Sequence, residues 1–134
     1  MKKSKWVPVK NVMRTNVAFV DGRLSVLEAL RVMKREKVTS LIVNKRFDTD
    51  EYGMLLFADI AEQVIAENRA PERVHVFEIM AKPVISIRPD MDIRYCARLF
   101  GRFGISHAPV VENDEVIGVV SYYLLVLEGL VDLD

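Results

Sequence analysis

The sequence predicts an α+β fold built from two consecutive copies of one βαββα unit. Three observations carry that prediction. At an offset of 67 residues Val12-Met13 falls on Ile79-Met80, Val17 on Val84, Val20 on Ile87, Arg31 on Arg98, Arg35 on Arg102, Val38-Thr39 on Ile105-Ser106 and Val43 on Val110. At an offset of 65, Gly53-Met54-Leu55-Leu56-Phe57 falls on Gly118-Val119-Val120-Ser121-Tyr122, so a two-residue indel lies in the loop Lys45 to Tyr52. Between these matches, apolar runs of strand length and apolar residues at helical spacing recur in the same order.

In the first copy Val17 to Val20 is a short strand, ended by Asp21-Gly22. Ser25 to Glu28 has the form of a capping box: the Ser25 hydroxyl can take the Glu28 amide while the Glu28 carboxylate reaches back. Val26, Leu27, Leu30 and Met33 continue as a helix to about Lys37. Leu41 to Val43 and Met54 to Phe57 are strand-length runs. Asp59 opens a second helix, Ile60 to about Asn68. The second copy has a strand Val84 to Ile87 and a helix capped by Asp92 that runs to Phe103, with Gly104 as its stop. Strands Ala108 to Glu112 and Val116 to Ser121 flank the turn Asn113-Asp114. A last helix runs from about Tyr122 to Leu130. The repeats span 7–68 and 74–131, with a polar linker at 69–73. A unit of about 60 residues buries too little surface to be comfortable alone, so the two copies are expected to pack as one compact domain.

Composition narrows the function. Nineteen basic and 19 acidic residues cancel, which argues against a nucleic-acid partner. The one cysteine, Cys96, excludes an intrachain disulfide, and with two histidines beside it no Cys/His zinc cage forms. A cytoplasmic setting is expected. The most apolar run, Val116 to Leu127, is too short to span a membrane, which needs about 20 residues.

Few residues suggest catalysis. Cys96 with His75 or His107 is either a nucleophile pair or a buried thiol beside unrelated imidazoles. The carboxylates Asp48, Asp50 and Glu51, and Glu112, Asp114 and Glu115, lie in hairpin loops, where solvated charge is the normal state. No catalytic residue, metal site or required cofactor is assigned. Asp59 is either a helix N-cap or a carboxylate placed for a vicinal diol, whose two hydroxyls its oxygens can accept. Ser121, at the matching strand end, is either a cap or a ribose or phosphate contact. The last helix carries Tyr122, Tyr123, Leu124, Leu125, Val126, Leu127, Leu130 and Val131 around its circumference, so a second copy of the chain is expected to cover it.

These features together resemble the tandem CBS-domain pair, the Bateman module. The matching residues are Val12-Met13 and Ile79-Met80, the runs Val38 to Val43 and Ile105 to Val111, and above all Gly53 to Asp59 and Gly118 to Leu124. The resemblance implies two βαββα units related by a pseudo-two-fold and a homodimer. It implies a non-catalytic regulatory module that takes an adenosine-containing ligand, AMP, ADP, ATP or S-adenosylmethionine, in clefts between the repeats and relays occupancy to an effector protein in trans. The family pattern is Gly, two apolar residues, Ser or Thr, two residues, then Asp. The first copy keeps Asp59 but has Leu56 at the hydroxyl position; the second keeps Ser121 but has Leu124 at the carboxylate position. By resemblance the better cleft uses Asp59, Met54, Leu56, Ala58, Val84, Ile85, Ser106 and His107. The weaker uses Ser121, Tyr123, Val17, Ala18, Thr39 and Ser40. His107 is either a phosphate contact or a structural histidine, and Arg102 and Lys82 are further cations for the phosphate end. The other class of reading is an oligomerisation or protein-interaction module without ligand.

Overall fold

The structure, a computed structural model, describes residues 6–131. The chain divides into two compact units: Val17–Val84, and the residues before Val17 together with those from Ile85 onward. Each unit has its own hydrophobic core.

In the first unit β1 (Phe19–Val20) runs parallel to β2 (Ser40–Val43), which pairs antiparallel with β3 (Gly53–Leu56). The predicted strand Val17 to Val20 thus shortens to two residues. Helix α1 (Val26–Glu36) starts at the capping box, with Glu28 N–H donating to Ser25 Oγ and Ser25 N–H to Glu28 Oε1, both at 3.1 Å. It stops at Lys37, in the left-handed region at φ 57°. Val26, Ala29 and Met33 sit one turn apart and are buried with Leu41, Val43 and Leu55 of the sheet. Helix α2 (Phe57–Ile60) continues through Ala61–Ile65 with wider, π-type hydrogen bonding, so Ala66 N–H reaches Ala61 O. After a 3₁₀ turn at Pro71–Arg73 comes a short helix, α3 (Val76–Ile79), which local periodicity did not announce. Its first amides donate to Leu24 O and Gly22 O at 2.9 Å, seating it on the β1–α1 turn.

The second unit repeats the plan. Helix α4 (Ile93–Phe103) is capped by Asp92 and ends at Gly104, φ 65°, where a side chain is strained. Strands β4 (His107–Glu112) and β5 (Glu115–Ser121) pair antiparallel through Asn113 and Asp114, both at positive φ, the geometry of a tight hairpin. Helix α5 (Tyr122–Val131) follows without a break. The predicted strand Val84 to Ile87 is reduced to one parallel bridge, Ile87 to Val110, because only the Ile87 N–H and C=O meet partners, Pro109 O and Val111 N–H.

The two glycines that head the strongest repeat matches have one physical cause. A Cβ on Gly53 would lie 2.7 Å from Met80 Sδ, and one on Gly118 would lie 2.6 Å from Met13 Sδ. Backbone bonds accompany each contact: Met54 and Ala81 exchange both bonds at 2.9 Å, as do Arg14 and Val119. The opening Met of each repeat therefore packs on the strand glycine of the other repeat. This exchange is why the units begin and end about ten residues away from the repeat boundaries.

Among the described residues no helix is long and apolar enough to cross a membrane.

Candidate functional site

The residues singled out from sequence regroup by unit. In the first unit Val17, Ala18, Thr39, Ser40, Leu56, Ala58 and Asp59 gather at one sheet edge. It is formed by the starts of β1 and β2 and the end of β3, with Ser40 directly opposite Leu56 and Ile42 N–H donating to Ala18 O. Met54 is buried in the middle of β3, with its backbone bonded to Ala81. Val84 ends this unit and Ile85 begins the next stretch of the other; both are half-buried. In the second unit Ser106, His107, Ser121 and Tyr123 share the corresponding edge, with His107 opposite Ser121 on the β4–β5 ladder.

At the first edge Asp59 does not cap its helix, which corrects the local reading. The helix begins two residues earlier, at Phe57, because Leu56 leaves the sheet in extended geometry and turns directly. Asp59 is the third helical residue, and its Oδ2 accepts the Leu56 N–H at 2.9 Å. The carboxyl is half-buried. Burial raises its pKa above the ordinary value; the Leu56 bond opposes this, and Glu62 adds a smaller upward push. Among the described residues no protein group bonds Oδ1.

At the second edge Ser121 does cap: its Oγ accepts the Leu124 N–H at 3.3 Å. Ser106 Oγ sits 2.8 Å from His107 Nδ1, and Ser106 O accepts the Tyr122 N–H at 3.2 Å. Burial lowers the His107 pKa, so the imidazole is neutral at pH 7. Cys96 is buried in the α4 core, and burial alone pushes its thiol up to about 11, far from a nucleophile. Arg102 is exposed near the end of α4. Lys82 is held by Asp50 at 2.8 Å, away from the Asp59 edge.

Among the described residues the last helix is apolar and largely uncovered. Only Leu125 and Gly129 are buried, while Tyr123 is 64% and Leu130 57% exposed. In the first unit Phe57 and Ile65 of the α2 segment are exposed likewise.

A feature the sequence reading passed over lies at the opposite edge of the first unit. Beyond the ends of β1 and β2 a cavity of about 720 Å³ is lined by Asp21, Gly22, Arg23, Val43, Asn44, Lys45, Arg46, Phe77, Met80 and Lys82. Solvated charge is expected for the loop carboxylate Asp50, yet it is bonded by Lys82, 32 positions away, a pairing that leaves no local sequence signal.

Comparison with known proteins supplies the context. The family model of the CBS domain matches residues 9–65 and 76–127. The CBS domain-containing protein YhcV of Bacillus subtilis is 29% identical over 84% of this chain and 79% of its own length. An uncharacterized protein of Methanopyrus kandleri, MK0525, is 26% identical over 86% of this chain, which spans 59% of that relative. A homoserine O-acetyltransferase of Methanosalsum zhilinae is 31% identical over 85% of this chain but only 22% of its own length. Among solved structures, a hexameric CBS-CP12 protein from bloom-forming cyanobacteria superposes with a TM-score of 0.89 at 33% identity, covering 91% of this chain and 70% of that one. The CBS domain pair of protein MJ0100, solved with 5′-methylthioadenosine and S-adenosyl-L-methionine, shares the fold: TM-score 0.75, 22% identity, 89% of this chain and 96% of that one.

Proposed function

The chain belongs to the CBS domain family, and on that premise we propose that it is a non-catalytic regulatory module whose Asp59 receives the ribose diol of an adenosine-containing ligand. The observation that carries this reading is the Asp59 carboxylate. The Leu56 amide fixes Oδ2, and Oδ1 keeps its acceptor capacity at an edge also lined by Ser40 and Ala58. A diol that leaves water for this carboxylate exchanges its hydrogen bonds for charge-assisted ones; beside Leu124 it regains none. One tight adenosine site per chain is therefore expected, at Asp59, with the Ser121 side weak or empty. AMP, ADP, ATP and S-adenosylmethionine all present the required diol. MJ0100, a neighbour in fold, is a protein solved with ligands of this class. The uncovered apolar faces of α5 and of the α2 segment fit a homodimer, and occupancy would be read by an effector partner. His107, neutral, suits a phosphate only as a hydrogen-bond donor.

The test is calorimetric titration of the wild type and Asp59→Asn with AMP, ATP and their 2′-deoxy forms. Losing the charge removes roughly 1.5–3 kcal/mol, a weakening of about tenfold or more. Equal binding of ribo and deoxy forms, or no effect of Asp59→Asn, rejects the diol role. That outcome favours the second reading, an interaction module without ligand, which the single capping bond at each junction and the bare α5 face already support.

A further inference from the structure

The two uncovered helix faces, on the α2 segment and on α5, differ in size position by position. At the 65-residue offset Phe57 corresponds to Tyr122, Ala58 to Tyr123, Ala61 to Val126, Glu62 to Leu127, Ile65 to Leu130 and Ala66 to Val131. Both copies keep that register in space. The helices begin at the matched pair Phe57 and Tyr122, and Ile60 and Val64 are buried as Leu125 and Gly129 are. Every residue of the six pairs is exposed. The face of the first unit is therefore lined by the small side chains of Ala58, Ala61 and Ala66 around one carboxylate, Glu62. The face of the second carries Tyr123, Val126 and Val131 around Leu127.

Charge divides the same way. The α2 segment holds Asp59 and Glu62 and no cation. Helix α4 packs beside α5 where Ile93 meets Gly129, and it holds Arg94, Arg98 and Arg102 and no carboxylate. Arg94 is bonded to Asp92, and Arg98 lies over the Tyr95 ring, 5.5 Å from its centroid. Among the described residues neither Arg98 nor Arg102 has a carboxylate partner. Glu128 is the one acidic residue on α4 and α5, while α1 of the first unit carries both signs.

These differences decide which contacts pack. The small face against its own copy leaves gaps and sets two Glu62 carboxylates into one apolar contact. The large face against its own copy overfills, with arginines beside arginines. Large against small fills space at the density of a protein interior, and Glu62 then meets guanidinium groups as it leaves water.

We propose that a second copy of this chain covers these faces crosswise: the α2 segment of one protomer packs on α4 and α5 of its partner, and two-fold symmetry makes the reverse contact as well. The proposal rests on the homodimer reading above and adds which face meets which. A second copy is the occupant because each face supplies the bulk or the charge that the other lacks.

The test is thiol cross-linking of the full chain. Glu62→Cys and Leu127→Cys put a thiol at the centre of each face; Cys96 is buried, and the wild type serves as control. Each variant is expressed alone, the two are also co-expressed, and all are treated with the short cross-linker bismaleimidoethane. Crosswise pairing gives a covalent dimer from the co-expressed pair and none from either variant alone. A covalent dimer from either variant alone overturns the proposal, and so does its absence from every sample. Light scattering gives a second readout. Ala61→Leu overfills the small face and should raise the dimer dissociation constant about tenfold. An unchanged or tighter dimer contradicts crosswise packing. A wild type that scatters as a monomer at micromolar concentration removes the homodimer reading together with this proposal, whereas a dimer with like-to-like cross-links removes this proposal alone.

Discussion

The strand–helix junctions β3–α2 and β5–α5 occupy the same place in the two repeats and solve the same problem with opposite halves of one device. In a full capping box a hydroxyl at the N-cap takes the amide of the third helical residue, whose carboxylate takes the N-cap amide. The first junction keeps only the carboxylate half, Asp59 to Leu56 N–H; the second keeps only the hydroxyl half, Ser121 to Leu124 N–H. The Gly…Ser/Thr…Asp pattern read for ligand binding has the spacing of this box, so one pair of residues can serve the helix, the ligand, or both. Duplication preserved the position of each group and divided the chemistry between the copies.

The first way to sharpen the comparison lies one helix earlier, where both caps are intact. Asp92 is fully buried, accepts from Arg94 N–H at 2.8 Å and is bonded by the Arg94 side chain and, at 3.3 Å, by Val7 N–H. Ser25, its counterpart in role, makes the box with Glu28 only. Asp92→Ala should cost about 2–3 kcal/mol, because the half-buried Val7 amide and the Arg94 guanidinium lose their partner as well as the helix losing its cap. Ser25→Ala should cost about 1 kcal/mol. Urea unfolding of the two variants checks the order; equal losses would mean that burial adds nothing to the Asp92 cap.

The next difference is between the two strand glycines. A Cβ on Gly118 meets Arg14 O at 3.0 Å as well as Met13 Sδ, whereas on Gly53 the backbone neighbour, Ala81 O, is at 3.3 Å and the closest atom is the flexible end of Met80. Gly118→Ala should therefore destabilise the fold more than Gly53→Ala, by about 1–3 kcal/mol against about 1 kcal/mol or less, read as the larger drop in melting temperature. A reversed order would show that Met13 yields more easily than Met80.

The smallest expected effect is a pH dependence of opposite sign in the two units. Arg94 holds the Asp92 carboxyl below its ordinary value of 3.8, so its contribution is present above that pH and is lost as pH falls through the lower folded value. Burial raises the Asp59 carboxyl above 3.8, so the folded state holds that proton more tightly than the unfolded chain. Its contribution is therefore lost as pH rises from 3.8 through the raised value. Thermal melts of wild type, Asp92→Asn and Asp59→Asn across that acid range should show the two variants diverging from wild type in opposite directions. Parallel curves would remove burial as the cause at Asp59.

By itself the sequence determined what short-range chemistry determines: two copies of one unit, the Ser25–Glu28 box, the Asp92 cap, the stop at Gly104, and the hairpin at Asn113-Asp114. Each of these is a contact between residues no more than a few positions apart, so its signature is contiguous. Short edge strands were overextended, since whether Val17 or Ile85 pairs depends on a neighbour far along the chain. Asp59 lies inside the helix and not at its N-cap for the same reason: the path of Leu56 out of the sheet, and not the acidic side chain, sets where α2 begins. Only tertiary structure decided that Met80 fills Gly53 and Met13 fills Gly118, crossing the repeat boundaries. It alone brought Phe77 and Lys82 to the loop cations around Asp50, because burial and charge compensation act through space between segments whose separation in sequence carries no pattern.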